Sequence, residues 1–212
     1  MPTQDIYWMF SAAGFAVAMS ATPGPNNAMV AASGANFGIV RTLPHIFGIS
    51  VGFPVMLAAV ALGAGGLVQS QPGVFAALHW LGAGYLVWLA WRVAMAQPAQ
   101  LPVADAAAPV PTARARPLRF IEAALFQWVN PKAWLIALSG VAAYATEGGR
   151  VAPAQVLVLA ALFLVICIPA TALWTGIGAG VARLLRTPRQ LRLFNAAMAA
   201  LLLASLVPLL RE

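Results

Sequence analysis

Apart from one proline-rich stretch, this sequence is a succession of apolar segments of roughly 20 residues or more, the length a helix needs to cross the hydrocarbon core of a bilayer. Of its 212 residues, 62% are hydrophobic and 8% charged, whereas ordinary soluble domains carry roughly 25% charged residues. A soluble globule of this size could not solvate such a surface. Hydropathy and Gly/Pro punctuation together place helices near residues 6–37 (interrupted), 43–68, 73–95, 118–145 (interrupted), 153–181 and 190–209. The expected fold class is an all-α integral membrane protein with six transmembrane helices. The N-terminal Met1 to Asp5 lacks the basic region of a secretory signal and runs into an apolar segment without a cleavage pattern, so the first segment reads as a retained helix.

The net charge of +7 comes from one lysine and eleven arginines against five acids. These cations sit in the turns between apolar segments, without the interleaved aromatic pattern of a nucleic-acid groove, so the expected surroundings are a lipid bilayer and no nucleic acid. Short cytoplasmic loops collect Lys and Arg. With six spans, one side holds Arg41, Arg92, Arg114, Arg116, Arg119, Arg183, Arg186, Arg189 and Arg192, and the other Arg150 and Arg211. That split puts both termini in the periplasm of a bacterial inner membrane and the linker, residues 96–117 with prolines at 98, 102, 109, 111 and 117, in the cytoplasm. A five-span arrangement would divide the arginines between the two sides. The single cysteine, Cys167, lies in an apolar run, which excludes an intrachain disulfide and a cysteine-based metal cluster. No metal or cofactor is expected.

The two halves are punctuated alike. Pro25 matches Pro131, Pro44 matches Pro153, Pro54 matches Pro169, Gly63/Gly65/Gly66 match Gly176/Gly178/Gly180, and Pro72 matches Pro188. A duplicated unit of three spans must lie upside down relative to its twin, the inverted-repeat plan of secondary transporters. The expected units are 1–95 and 118–212, joined by the linker.

Two segments break their helices at corresponding places, at Thr22, Pro23, Gly24, Pro25, Asn26, Asn27 and at Gln127, Trp128, Val129, Asn130, Pro131, Lys132. Proline removes a backbone donor and clashes with the preceding turn. The carbonyls and amides so freed are tolerated at membrane depth only where protein or a water-filled cavity receives them. Half-helix ends offer amide donors to an anion and carbonyls to a cation, and an amino-acid zwitterion carries both charges. Lys132 is the only lysine, and a lysine near mid-span costs about 3 kcal/mol on insertion scales. It is a candidate to bind a carboxylate or to alternate protonation in coupling, the other reading being a structural pairing with freed carbonyls. Asn26 and Asn27 either bind ligand or cap the half-helix after the break.

The run Thr22 to Asn27, the run Gly82 to Arg92 (GAGYLVWLAWR) and the run Gln127 to Lys132 resemble the LysE/RhtB family of amino-acid exporters, and within it the cysteine/O-acetylserine exporter group. The resemblance covers the whole chain. It implies amino-acid export by exchange with protons or driven by the membrane potential. The substrate-binding candidates are then Pro23, Gly24, Pro25, Asn26, Asn27, Tyr85, Gln127, Asn130, Pro131 and Lys132. Tyr85 points its hydroxyl into the cavity or anchors at the interface. The proton-coupling candidates are Lys132, His45 and Glu122, the last two alternatively solvated residues at helix ends. The patterns Gly34-x3-Gly38, Gly48-x3-Gly52 and Gly176-x3-Gly180 suggest close helix packing.

Three rival classes fit less well. An enzyme needs a nucleophile with a base, or a metal cluster, and neither motif occurs. A metal exporter needs a ligand set, and His45, His79 and Cys167 are scattered. A channel would show flux that neither saturates nor follows a proton gradient. The expected partner is a small amino acid; the sequence leaves open whether the chain forms a homo-oligomer. From the arginine split, a C-terminal alkaline phosphatase fusion is expected to be active and a C-terminal green fluorescent fusion dark. The reverse pair of readings would exclude the six-span arrangement.

Overall fold

A computed structural model of the chain describes residues 2–96, 116–144, 151–185 and 187–207. The linker between 97 and 115, both chain ends, Arg114, Glu147, Arg150, Arg186 and Arg211 lie outside the described residues. Every described element is helical: α1 (Pro2–Ala21), α2 (Pro25–Phe37), α3 (Ile39–Ala59), a π-helical turn (Val60–Ala64), α4 (Gly65–Ser70), α5 (Pro72–Ala94), α6 (Phe120–Phe126), a 3-10 turn (Gln127–Val129), α7 (Pro131–Tyr144), α8 (Pro153–Leu184) and α9 (Pro188–Ala204). Among the described residues, Ile39–Ala64 and Pro153–Leu184 are long and apolar enough to cross a membrane, and Ile6–Ala21 and Phe120–Val129 are shorter apolar helices. Large apolar side chains cover the outside. Tyr7 and Phe10 on α1, Leu135 on α7, Leu157 on α8 and Leu193 on α9 are all exposed, a surface suited to lipid rather than water.

Sequence punctuation explains where the helices stop. Pro25, Pro72, Pro153 and Pro188 each open a helix at its first turn, where a missing N–H costs nothing. The second helix begins at 39 rather than 43, because the chain turns at Gly38, whose φ of 78° favours glycine. Pro44 therefore lies inside α3 whereas Pro153 opens α8, so the matched prolines do different work. The matched glycines also diverge. Gly63 takes φ 121° at the π-helical kink, while α8 runs unbroken through Gly176, Gly178 and Gly180.

Side-chain contacts give the helix directions. The α1 helix runs alongside α8 in the same sense, with Phe15 against Phe163 and the Ala21 carbonyl receiving the Trp174 indole. Parallel to each other, α3 and α6 pack with Gly48 against Phe120 and Gly52 against Ala124, so close that a Cβ on either glycine would overlap the neighbouring backbone. Gly34 abuts the Thr175 carbonyl and Gly178 the Ala31 carbonyl in the same manner, bringing α2 onto α8. The expected small-residue stripes are thus corrected in two places: Gly38 is a corner, and the packing glycine of α8 is Gly178, since Gly176 and Gly180 have open space before them.

Two apolar cores result. One collects Met29, Ile46, Ile49, Leu86, Leu89, Phe126 and Leu202; the other collects Ala16, Phe53, Met56, Ile136, Leu159 and Phe163. Four described arginines lie beyond the first core, at one end of the molecule. Arg41 and Arg183 line one hollow and Arg92 and Arg116 another, and Asn36 and Phe37 border both. Overpacking a tight backbone contact costs about 1–3 kcal/mol. Gly178→Val is therefore expected to lower the melting temperature and membrane yield sharply, and Gly176→Ala to leave both unchanged or slightly raised, as read by fluorescence-detected size exclusion after heating.

Candidate functional site at the helix breaks

The two breaks fall where the two cores meet. On α3 the boundary runs between Ile49 and Phe53, and on α8 between Phe163 and Cys167. The α1 and α7 halves pack in one core and the α2 and α6 halves in the other, so each interrupted helix changes core at its interruption.

At the first break the prolines decide which backbone groups need partners. Pro23 and Pro25 have no N–H, so the carbonyls of Met19 and Ala21, four residues earlier, lose their helical donors. Side chains replace them. Thr22 Oγ1 donates to the Met19 carbonyl at 3.1 Å, and Trp174 Nε1 to the Ala21 carbonyl at 3.1 Å. Asn27, only 4% exposed, donates Nδ2 to the carbonyls of Ser20 and Thr22, both at 2.8 Å. Lys132 then reaches across from the second break. Its Nζ donates to the Thr22 carbonyl at 2.8 Å, to Thr22 Oγ1 at 2.8 Å and to the Pro23 carbonyl at 3.1 Å. All three are neutral oxygens. Gly24 makes the approach possible, since a Cβ there would stand 2.6 Å from Lys132 Cδ.

The second break is ordered from within. Gln127 to Val129 tighten into a 3-10 turn, and Asn130 turns extended with φ −85° and ψ 111°. Pro131 opens α7, and Asn130 Oδ1 accepts the Lys132 backbone N–H at 3.1 Å, which caps the half-helix that carries the lysine. Trp134 Nε1 satisfies the Trp128 carbonyl at 2.8 Å. The breaks are joined a second time by a reciprocal amide pair: Asn26 Nδ2 donates to Gln127 Oε1 at 2.9 Å and Gln127 Nε2 returns to Asn26 Oδ1 at 3.2 Å.

Neither asparagine caps α2, whose N-cap is Gly24 without a side-chain bond. Asn27 instead closes the end of α1, and Asn26 is engaged with Gln127. A cavity of about 40 Å³ lies between the breaks, lined among others by Ser20, Asn26, Asn130, Lys132, Cys167 and Thr171. The structure thus gathers Gly24, Asn26, Asn27, Asn130 and Lys132 around one space, with Gln127 behind Asn26. Tyr85 is not among the lining residues; it packs against Phe126 and Trp88, with ring centroids 5.6 and 5.2 Å apart. Glu122 is bound by Arg116, with Nη1 to Oε2 at 2.7 Å, and by the Arg119 backbone N–H at 2.9 Å. His45 is not a solvated helix-end residue but is 1% exposed, its Nδ1 paired with Ser33 Oγ at 3.2 Å. The contribution of α8 was unforeseen. Its signal is the spacing of Cys167, Thr171 and Thr175, four residues apart on one face of an otherwise apolar helix.

Broken helices that enclose a small cavity within an apolar, lipid-suited bundle are an arrangement that secondary transporters also use. The chain belongs to the LysE type translocator family, which it matches over residues 17–211. It is 34% identical over 125 residues to the cysteine/O-acetylserine efflux proteins of Klebsiella pneumoniae and Salmonella typhimurium, and 31% identical over 125 residues to that of Escherichia coli K12. Each match covers 59% of this chain and 57% of the relative, so the chain spans little more than half the length of these relatives. No solved structure matches.

Removing a buried polar side chain that satisfies buried partners costs about 1–3 kcal/mol. Asn27→Ala is therefore expected to lower thermal stability and membrane abundance, because it strips a donor from the Ser20 carbonyl of α1 and from the Thr22 carbonyl just beyond it. Unchanged melting in detergent would mean that water replaces the amide at no cost.

Proposed function

We propose that this chain exports a small amino acid or amino-acid derivative across the bacterial inner membrane by alternating access, with the paired breaks as its binding site. One observation carries the reading: the ammonium of Lys132 spans the two breaks at the edge of a cavity and is held by neutral oxygens alone. A charge-assisted bond to a carboxylate is roughly twice as strong as a bond between neutral groups. An entering amino acid brings that carboxylate, which takes Nζ. The carbonyls of Thr22 and Pro23 so released then receive the substrate's own ammonium. Three bonds from one ammonium to neutral oxygens are exchanged for an ion pair with the substrate carboxylate and bonds from the substrate ammonium to the freed carbonyls.

The cavity volume, enough for a few waters at about 10–15 Å³ each, favours a small solute and requires the breaks to part as it enters. That size class agrees with the compounds named for the efflux relatives. Coupling to protons or to the membrane potential follows the family resemblance, and Lys132 is the coupling candidate that lies at the cavity. Pro23, Pro25 and Pro131 serve by freeing and aiming backbone groups rather than by touching ligand.

Six spans arranged as two inverted three-helix units, 1–95 and 118–212, suit this mechanism, with the linker in the cytoplasm and both termini in the periplasm. Three features support it. Each half runs in the order broken helix, long helix, single helix. The α1 helix runs with α8, and α3 with α6, while α5 and α6 run oppositely, Gly82 against Val129 and Arg92 against Arg116. The arginine-lined hollows share one end.

The test is export from cells overloaded with dipeptides, profiling which free amino acids leave faster than in a vector control. Lys132→Met keeps the stem and removes the charge, and is expected to reach the membrane at near-normal level with export nearly abolished. Lys132→Arg should also fail, because a planar fork does not reproduce a compact point charge. Wild-type export by a normally abundant Lys132→Met protein would make Lys132 a packing residue and move the site elsewhere.

A further inference from the structure

A second cavity, of about 240 Å³, six times the volume of the one between the breaks, lies at the arginine end between α2, α3, α5 and the segment before α6. It is separate from the first but close to it. Ile49 lines one cavity and His45 the other, a single turn apart on α3, or about 6 Å along the helix. Its polar equipment does not neutralise itself. His45 is 1% exposed and lines the cavity, and its Nε2 is buried without a partner. When Ser33 Oγ donates to Nδ1, Nε2 carries the ring proton and is a donor without an acceptor. Of the two arginines on the wall, Arg116 is held by Glu122. Arg92 donates to the Arg116 carbonyl at 3.4 Å and lies over the face of Trp88, 4.8 Å from the ring centroid; the Glu122 carboxylate acts on it through space but hydrogen-bonds to Arg116 and the Arg119 backbone, so Arg92 has no directly bonded carboxylate among the described residues.

We propose that this cavity is a second binding place, for the carboxylate of a small soluble solute, with the Arg92 guanidinium as its cation. The proposal rests on the export reading, and makes the cavity the station that the exported amino acid occupies before it reaches Lys132. A guanidinium on the wall of a cavity is matched by the oxygens of a carboxylate, and a cation lining a low-dielectric cleft concentrates anions there.

The test uses the full-length protein in zwitterionic-lipid vesicles, with Cys167→Ala and Ala96→Cys placing one thiol on the cavity wall. The anionic sulfonatoethyl methanethiosulfonate is expected to modify that thiol about tenfold faster than the cationic trimethylammonioethyl reagent, relative to their rates with a free thiol. Arg92→Gln should abolish the preference, and Lys132→Met should leave it intact. Acetate, but not acetamide, should slow the anionic reagent at constant ionic strength. An anionic preference as large in the Arg92→Gln protein as in the parent, or equal protection by acetamide, would overturn the proposal. So would loss of the anionic preference when phosphatidylglycerol is added to the vesicles, which would make a lipid headgroup the occupant. Failure of the export reading would show separately, as absent efflux in cells beside a retained anionic preference.

Discussion

Everything at the centre of this molecule follows from the need to satisfy carbonyl oxygens that two prolines have orphaned. An α-helix closes its own hydrogen bonds, and a chain in lipid has no water to fall back on. Pro23 and Pro25 remove the donors to the Met19 and Ala21 carbonyls and end α1, leaving the Ser20, Thr22 and Pro23 carbonyls open as well; Thr22 serves Met19, and the other partners come from three other helices: Asn27 from α2, Lys132 from α7 and Trp174 from α8. The repair therefore ties the break to its neighbours, and the position of the lysine is a consequence of the prolines as much as of its own helix.

Around that knot the packing is close where backbones cross and loose where they face outward. Gly34 with Gly178, and Gly48 with Gly52, let α2 lie on α8 and α3 on α6 at backbone distance. A reciprocal amide pair, Asn36 with Asn195, fastens α2 to α9 much as Asn26 fastens it to Gln127, with Nδ2 of Asn36 2.7 Å from Oδ1 of Asn195. The α2 helix is thus held at both ends by neutral amides that can exchange their bonds with water.

The helical class, the two breaks and the lysine are legible in the sequence because each breaks a strong local rule: a proline inside an apolar run, a cation at membrane depth. The partners are not, because a contact such as Lys132 with Thr22 joins residues 110 apart and nothing local encodes it. Asn26 and Asn27 show the limit. Their type and position fit capping and ligand binding equally, and only the fold reveals that one closes α1 and the other meets Gln127. Tyr85 fails for a related reason. Helical spacing puts it on a face, and the face turns out to be the one stacked on Phe126. The proline and glycine matches between halves do not carry over to what each residue does, since Pro44 sits within a helix and Pro153 begins one.

On the proposed export reading, the way Lys132 is tethered also sets the charge that moves in one turnover. With only neutral ligands around it, the empty centre carries the single positive charge of the ammonium, and a zwitterion adds none. Loaded and empty forms then cross the field with the same charge, and a potential that is worth about 2.3 kcal/mol per elementary charge per 100 mV does equal and opposite work on the two half-cycles. Uphill expulsion of a neutral amino acid through such a centre requires the lysine to cross in one direction without its proton. A cationic amino acid escapes this symmetry, because its loaded form carries one charge more than the empty one. On that reading the same tether makes a neutral solute depend on the proton gradient and a cationic one on voltage.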